Sequence, residues 1–174
     1  MKTTLSQQFI NDEFTKTLYD KTKQTPLIQL SFYLIKQARQ KGIQDLTNLK
    51  LQKLMFYTYA RYLAVHKKVL FDDHIEAWSY GPVIPNLYFT FRVFGNDVID
   101  LTNTSGSDSQ QIEGREEIKY ILDKYGAMDP YALMEKTQSE DPWFEVFDLN
   151  PLFANKMIHP DKIYQYYSQQ ENEL

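Results

Sequence analysis

The stretch Leu46-Thr47-Asn48-Leu49-Lys50-Leu51-Gln52-Lys53-Leu54-Met55-Phe56-Tyr57-Thr58-Tyr59-Ala60-Arg61-Tyr62-Leu63-Ala64-Val65-His66 decides the fold. Leu51, Leu54, Met55, Thr58, Tyr62 and Val65 keep the i, i+3, i+4, i+7 spacing of one helical face, and Thr47 is a good N-cap for it. Phe56, Tyr57, Tyr59 and Leu63 fall on the remaining sides. A helix apolar nearly all round belongs at the centre of a fold, so most of its aromatics are expected in the core.

Upstream, Leu27, Leu30, Leu34, Ile35 and Ala38 trace a second helical face to about Lys41, and Gly42 follows where a C-terminal cap is expected. Before it, Lys21 to Pro26 is polar and ends in proline, the composition of a short linker. Thr4 and Gln7 have capping-box spacing, and Phe9, Ile10, Phe14 and Leu18 recur near helical period, so a helix over about 5–20 is expected. The domain organisation expected is an amphipathic N-terminal extension over residues 1–25 and one domain over 26–174.

Downstream, Ile75, Ala77 and Ser79 alternate with Glu76, Trp78 and Tyr80 as in a strand, with Gly81-Pro82 expected to end it. Pro85 suits a first helical turn, Leu87, Tyr88, Phe91 and Phe94 supply an apolar side, and Gly95 is a stop. Asp97 to Leu101 is the expected second strand, pairing with the first in a hairpin. The polar segment 102–109 reads as a mobile surface loop. Ile118, Ile121, Leu122 and Tyr125 resume helical spacing, Asp129-Pro130 starts another helix, and Ile163, Tyr164 and Tyr167 share a side of a last helix from Pro160 to about Gln169, before a polar tail expected to fray. The fold class expected is mostly α: a compact single-domain helical fold with a small antiparallel sheet or hairpin.

Hydrophobic content of 43% with 24% charged residues is that of a globular chain, which excludes disorder and fibrous classes. No apolar run approaches the roughly 20 residues that span a bilayer, and the first residues lack the apolar core of a signal peptide, so a cytoplasmic protein without a membrane partner is expected. The absence of cysteine excludes disulfides and thiolate ligands. A net charge of −4 argues against affinity built on phosphate neutralisation, so nucleic acid is an unfavoured partner. Lys50, Lys53, Arg61, Lys67 and Lys68 do gather in the helical half, where a helix-turn-helix could hide, but they read better as a solvent-facing stripe. The 13 Tyr and 11 Phe have two readings, as core filling or as contact residues for another protein.

Signals for catalysis are weak. His66, His74 and His159 are far apart with no His-x3-His or His-Glu-x-x-His spacing, so neither metal nor cofactor is expected. Phosphate loops, dinucleotide fingerprints and nucleophile elbows are lacking. Asp72-Asp73-His74-Ile75-Glu76 is the densest group of ionisable residues, but neighbours along a turn diverge in direction. The chain is expected not to be an enzyme.

Two neighbouring stretches carry a resemblance. Leu46 through Tyr57, with its Lys50-Leu51-Gln52-Lys53-Leu54 core, is followed by Leu70-Phe71 and by Glu76-Ala77-Trp78-Ser79-Tyr80-Gly81-Pro82-Val83-Ile84-Pro85. Together they resemble the Panacea, or SocA-like antitoxin, family, whose hallmark is that helix, then an alanine-tryptophan and glycine-proline-valine turn, then a proline-started helix. Leu133, Thr137, Glu140, Pro142 and Trp143 resemble its second signature, with Gln138 where the family has histidine. The resemblance spans roughly residues 27–167. It implies a mostly helical, non-enzymatic domain, commonly encoded by bacteria or their phages, that neutralises a cognate toxin or other effector protein by direct binding.

On these signatures the candidate partner-binding residues are Lys50, Lys53, Tyr57, Glu76, Trp78, Tyr80, Pro85, Tyr88, Glu140 and Trp143. The aromatic ones have the area and polar handles of interface hot spots, or else hold the fold. Lys50, Lys53 and Glu76 either pair with one another or meet the partner. Alternatives to simple occlusion are an adaptor delivering its partner to a protease, a phage-encoded anti-defence protein, and a transcriptional regulator.

Overall fold

A computed structural model describes residues 25–101, 112–150, 152 and 154–170. The expected helix over 5–20, the loop over 102–109 and the end of the tail lie outside the described residues.

The first two helices begin and end where their side chains allow. Helix α1, Pro26–Gln40, starts on a proline and closes on Gly42, whose φ of +75° suits glycine and whose N–H reaches Arg39 O at 2.9 Å. Helix α2, Asn48–His66, is capped by Thr47, whose hydroxyl accepts from Lys50 N. Residues 51–60 of α2 are all buried, as expected of a helix apolar on every side.

The remaining elements wrap this helix. Strands β1 (Glu76–Trp78) and β2 (Gly81–Val83) are followed by α3 (Pro85–Phe91) with a 3-10 turn, Arg92–Phe94, then α4 (Arg115–Tyr125), α5 (Pro130–Gln138), α6 (Asp141–Phe144) and α7 (Pro160–Tyr167). Helix α2 packs against α4, α5 and α7 and also meets β2 and α3. One continuous core results, with Leu30, Leu34, Leu51, Leu54, Phe91, Ile118, Leu133 and Ile163 fully enclosed. Each such side chain contributes roughly 1.5–3 kcal/mol by leaving water. Among the described residues no helix is long and apolar enough to cross a membrane.

The sheet corrects one expectation. Strand β1 pairs antiparallel with Gly81–Val83, in the register Glu76 with Val83, Ala77 with Pro82 and Trp78 with Gly81. Gly81-Pro82 therefore opens the second strand instead of closing the first. The physical reason is a tight Ser79-Tyr80 turn relieved by Gly81, whose φ of +91° no other residue adopts without strain. Pro82 is tolerated because it sits in an edge strand. The segment Asp97–Leu101 pairs elsewhere: Val98 bridges Thr47 and Ile99 N donates to Leu46 O at 2.8 Å, fastening the entry to α2. On its other side β1 is met by residues 156–158, through Ala77 N to Lys156 O and Ile158 N to Ile75 O.

Gly81 also has no room for a side chain. A Cβ there would lie 2.8 Å from Thr137 Oγ1 and 3.0 Å from Lys53 Nζ. Gly81→Ala is expected to lower stability by about 2–3 kcal/mol, read as a Tm drop of roughly 5–10 °C in thermal unfolding; an unchanged Tm would contradict this account of the turn.

Candidate functional site

The polar residues of the α2 signature all face inward. Lys53 is fully buried and its Nζ donates to Pro82 O at 2.7 Å, tying the central helix to β2. Gln52 accepts from Ile84 N at 3.0 Å, supplying a partner for a backbone donor at the start of α3, and its own amide donates to Asn48 Oδ1. Asn48 in turn donates to Tyr88 O at 3.1 Å. Lys50, equally buried along its length, reaches Asp45 Oδ1 at 2.5 Å and pins the loop before the helix. Burial alone pushes the Lys53 amine down to about 7.

A second buried group holds the hairpin from the opposite side. Trp143 Nε1 donates to Trp78 O at 2.9 Å, and Gln138 Nε2 donates to Ser79 O at 2.8 Å. Between them, Glu140 accepts from Tyr57 OH at 2.9 Å, Tyr167 OH at 2.5 Å and Lys136 Nζ at 2.8 Å. Burial, then the adjacent Glu140, drives both phenols far above their ordinary range. Burial opposes the Lys136 charge, but Glu140 outweighs it and raises that amine. The Glu140 carboxylate thus joins α2, the α5–α6 junction and α7 at one point.

What the clamp presents outward is aromatic. Trp78, half-buried, stands edge-on to Tyr88 with centroids 5.1 Å apart and to Phe89 at 6.3 Å. Its Nε1 donates to Glu76 Oε2 at 2.6 Å, while His74 Nε2 meets Glu76 Oε1 at 2.8 Å. Arg92 lies 5.6 Å over the Phe89 ring. Phe89 is 52% exposed and Tyr80, at the hairpin tip, 62%. Tyr80 on the hairpin and Phe89 on α3 are thus exposed aromatics, a side-chain type with large apolar area available for contact.

The ten predicted site residues therefore divide. Glu76, Trp78, Tyr80, Pro85 and Tyr88 are brought together on the hairpin and the first turns of α3, with Pro85 at the first position of that helix. Lys50, Lys53, Tyr57, Glu140 and Trp143 lie in the interior behind them. Two expectations need correction: Lys50 and Lys53 are not a solvent-facing stripe, and they do not pair with Glu76, because Lys50 meets the Asp45 carboxylate and Lys53 the Pro82 carbonyl, while Glu76 meets Trp78. Sequence reasoning missed Gln52, Phe89, Lys136, Tyr167 and the latch formed by Gln138. Phe89 had left a signal, an aromatic off the apolar face of its own helix, and so had Lys136, four residues before Glu140; Tyr57 and Tyr167 had none, since they reach Glu140 from distant segments.

Asp73, His74 and Glu76 of the acidic run are engaged with neighbouring polar groups. Asn86 donates to Asp73 Oδ1 at 2.5 Å, and His74 and Glu76 are engaged with one another and with Trp78. Among the described residues no three His, Asp or Glu side chains are placed to hold a metal.

Fold and site together define the class: a mostly helical domain whose central helix carries a buried polar strip that clamps a short aromatic hairpin. The chain belongs to the family described as Antitoxin SocA-like, Panacea domain, whose sequence model matches residues 51–144, from the body of α2 to the end of α6. That span holds the second signature and the first from Leu51 onward, and is narrower than the 27–167 read from the residues. The chain is also similar to "Antitoxin SocA" of Caulobacter vibrioides (strain NA1000 / CB15N), at 28% identity over 109 residues, 56% of this chain and 58% of that protein. It thus spans little more than half the length of this relative. No solved structure matches it significantly.

The Lys53 environment makes a pH-dependent stability. Below about pH 7 the amine is charged in both folded and unfolded chains and its burial is felt in full. Between about 7 and its ordinary 10.5 only the unfolded chain holds that proton, so stability rises with pH. The wild type should gain on the order of 2 kcal/mol over Lys53→Met as pH goes from about 7 to 9.5, measured by urea unfolding. Parallel pH profiles for the two proteins would refute the assignment. The raised phenols of Tyr57 and Tyr167 act in the opposite sense only above about pH 10.

Proposed function

We propose that this chain is a non-enzymatic antitoxin that neutralises a partner toxin or other effector protein by binding it directly through the hairpin and α3. Family membership supports an antitoxin role in general. The single observation that carries the binding reading is the partly exposed Trp78–Tyr88–Phe89 cluster with Arg92 beside it, on a hairpin and helix held by hydrogen bonds from α2, α5 and α6. Aromatic residues and arginine dominate binding energy at protein interfaces, and a surface fixed in advance loses little side-chain freedom on association. Inhibition follows by occlusion, with the buried signature lysines acting indirectly, by positioning the hairpin.

Affinity purification from the native host, followed by co-expression with each adjacent gene, tests this. A small protein recovered in stoichiometric amount, toxic unless this chain is present, is the expected result. Phe89→Ala and Tyr80→Ala, both at exposed positions, should keep the wild-type Tm and weaken capture by at least about tenfold. A toxin captured equally well by both variants would remove this face from the interface; the absence of any toxin whose effect this chain relieves would remove the function.

A further inference from the structure

A cavity of about 160 Å³ opens beside the hairpin, on the side where residues 156–158 meet β1. Tyr59 and Phe71, with rings 4.9 Å apart, line it together with Ile75 and Ile158, all four buried. Val69 and Met157 also line it and remain 37% and 51% exposed. Asp72 and Asp73 contribute the carboxylates, and no lysine or arginine is among the lining residues. Asp72 stands near enough to the cavity wall that burial, and after it this carboxylate's charge, pushes the Tyr59 phenol up to about 12.

The cavity is continuous with the recognition face. His74 lines it and meets Glu76, which accepts from Trp78; Asp73 accepts from Asn86 on α3. A partner seated on Trp78 and Phe89 would extend across it. Its chemistry selects an occupant. An apolar cavity of about this volume takes a benzene-sized group. Two carboxylates with no lining cation repel an anionic segment and draw a cationic one.

We propose that this cavity is an anchor pocket for an aromatic side chain of the partner protein carried next to a lysine or arginine, the ring seated between Tyr59, Ile75 and Met157 and the cation set against Asp72 and Asp73. The proposal rests on the partner-binding reading above and names the chemistry of that partner. An anchor that fills a pocket while its neighbour meets a charge is how a few interface residues come to carry most of the binding energy.

The test uses three small probes of one size with the full chain: 2-phenylethylammonium, 2-phenylethanol and 3-phenylpropionate, followed by methyl-resolved NMR. The ammonium should bind saturably in the millimolar range expected of so small a ligand, roughly 1–10 mM, shifting the methyl signals of Val69, Ile75, Met157 and Ile158. The alcohol should bind about threefold more weakly and the carboxylate not measurably. Asp72→Asn with Asp73→Asn removes both negative charges while leaving an amide oxygen at 73 to accept from Asn86, and should bring the ammonium down to the level of the alcohol. Equal affinity for the three probes, or shifts away from these methyls, overturns the pocket.

Movement of the same signals on dilution alone, with a dimer in sedimentation, would make the occupant a second copy of this chain and equally overturn it. Failure here and failure of the recognition face are read separately. Capture of the toxin that depends on Phe89 but is unaffected by the paired asparagines sinks the pocket alone. Capture weakened by the asparagines and indifferent to Phe89 sinks the face alone.

Discussion

The rest of the structure depends on one buried hydrogen bond, from Lys53 Nζ on the central helix to Pro82 O in the second strand. A two-stranded hairpin this short is not stable in water by itself. It persists here because the buried amine bonds Pro82 O on one strand while residues 156–158 bond the outer side of the other. Gly81 makes the approach possible, since a side chain there would collide with the amine and with Thr137. The burial that weakens the Lys53 charge also strengthens its dependence on that carbonyl, because an unpaired polar group in the core is costly.

The same logic recurs around the hairpin. Trp143 and Gln138 reach carbonyls of Trp78 and Ser79, and Gln52 satisfies the start of α3. Polar residues in an otherwise apolar core therefore specify orientation: apolar packing would accept several tilts of the hairpin, whereas three directional bonds accept one. Glu140, with two phenols and an ammonium on its carboxylate, extends this specification to α7. The glutamine at position 138 fits the pattern. In place of a titratable ring it sets a neutral amide whose N–H bonds the turn carbonyl, so the latch does not depend on protonation at this position.

The signature residues consequently do two jobs at different depths. Those on α2 and around Glu140 are internal and act on a partner only by placing other groups. Those on the hairpin and α3 are the ones another protein can touch. Deep alanine substitutions would disturb fold and recognition together, and shallow ones separate the two.

Much of the scaffold was legible from periodicity and punctuation. The all-round apolar pattern of 48–66, the Thr47 and Asp129 caps, Gly42 and the prolines at 85, 130 and 160 are local signals, because helix period and cap chemistry involve residues only a turn apart. The motif residues were also legible, five of which the fold brings together on the hairpin and α3. What only the tertiary structure decided was pairing and depth. The choice of strand paired with β1, the inward turn of Lys53, the convergence of Tyr57 and Tyr167 on Glu140, and the exposure of Phe89 are decided by how the folded segments pack. A lysine on a helix reads as solvent-facing until a carbonyl from thirty residues away is known to stand over it, and that carbonyl is placed only when the chain has folded.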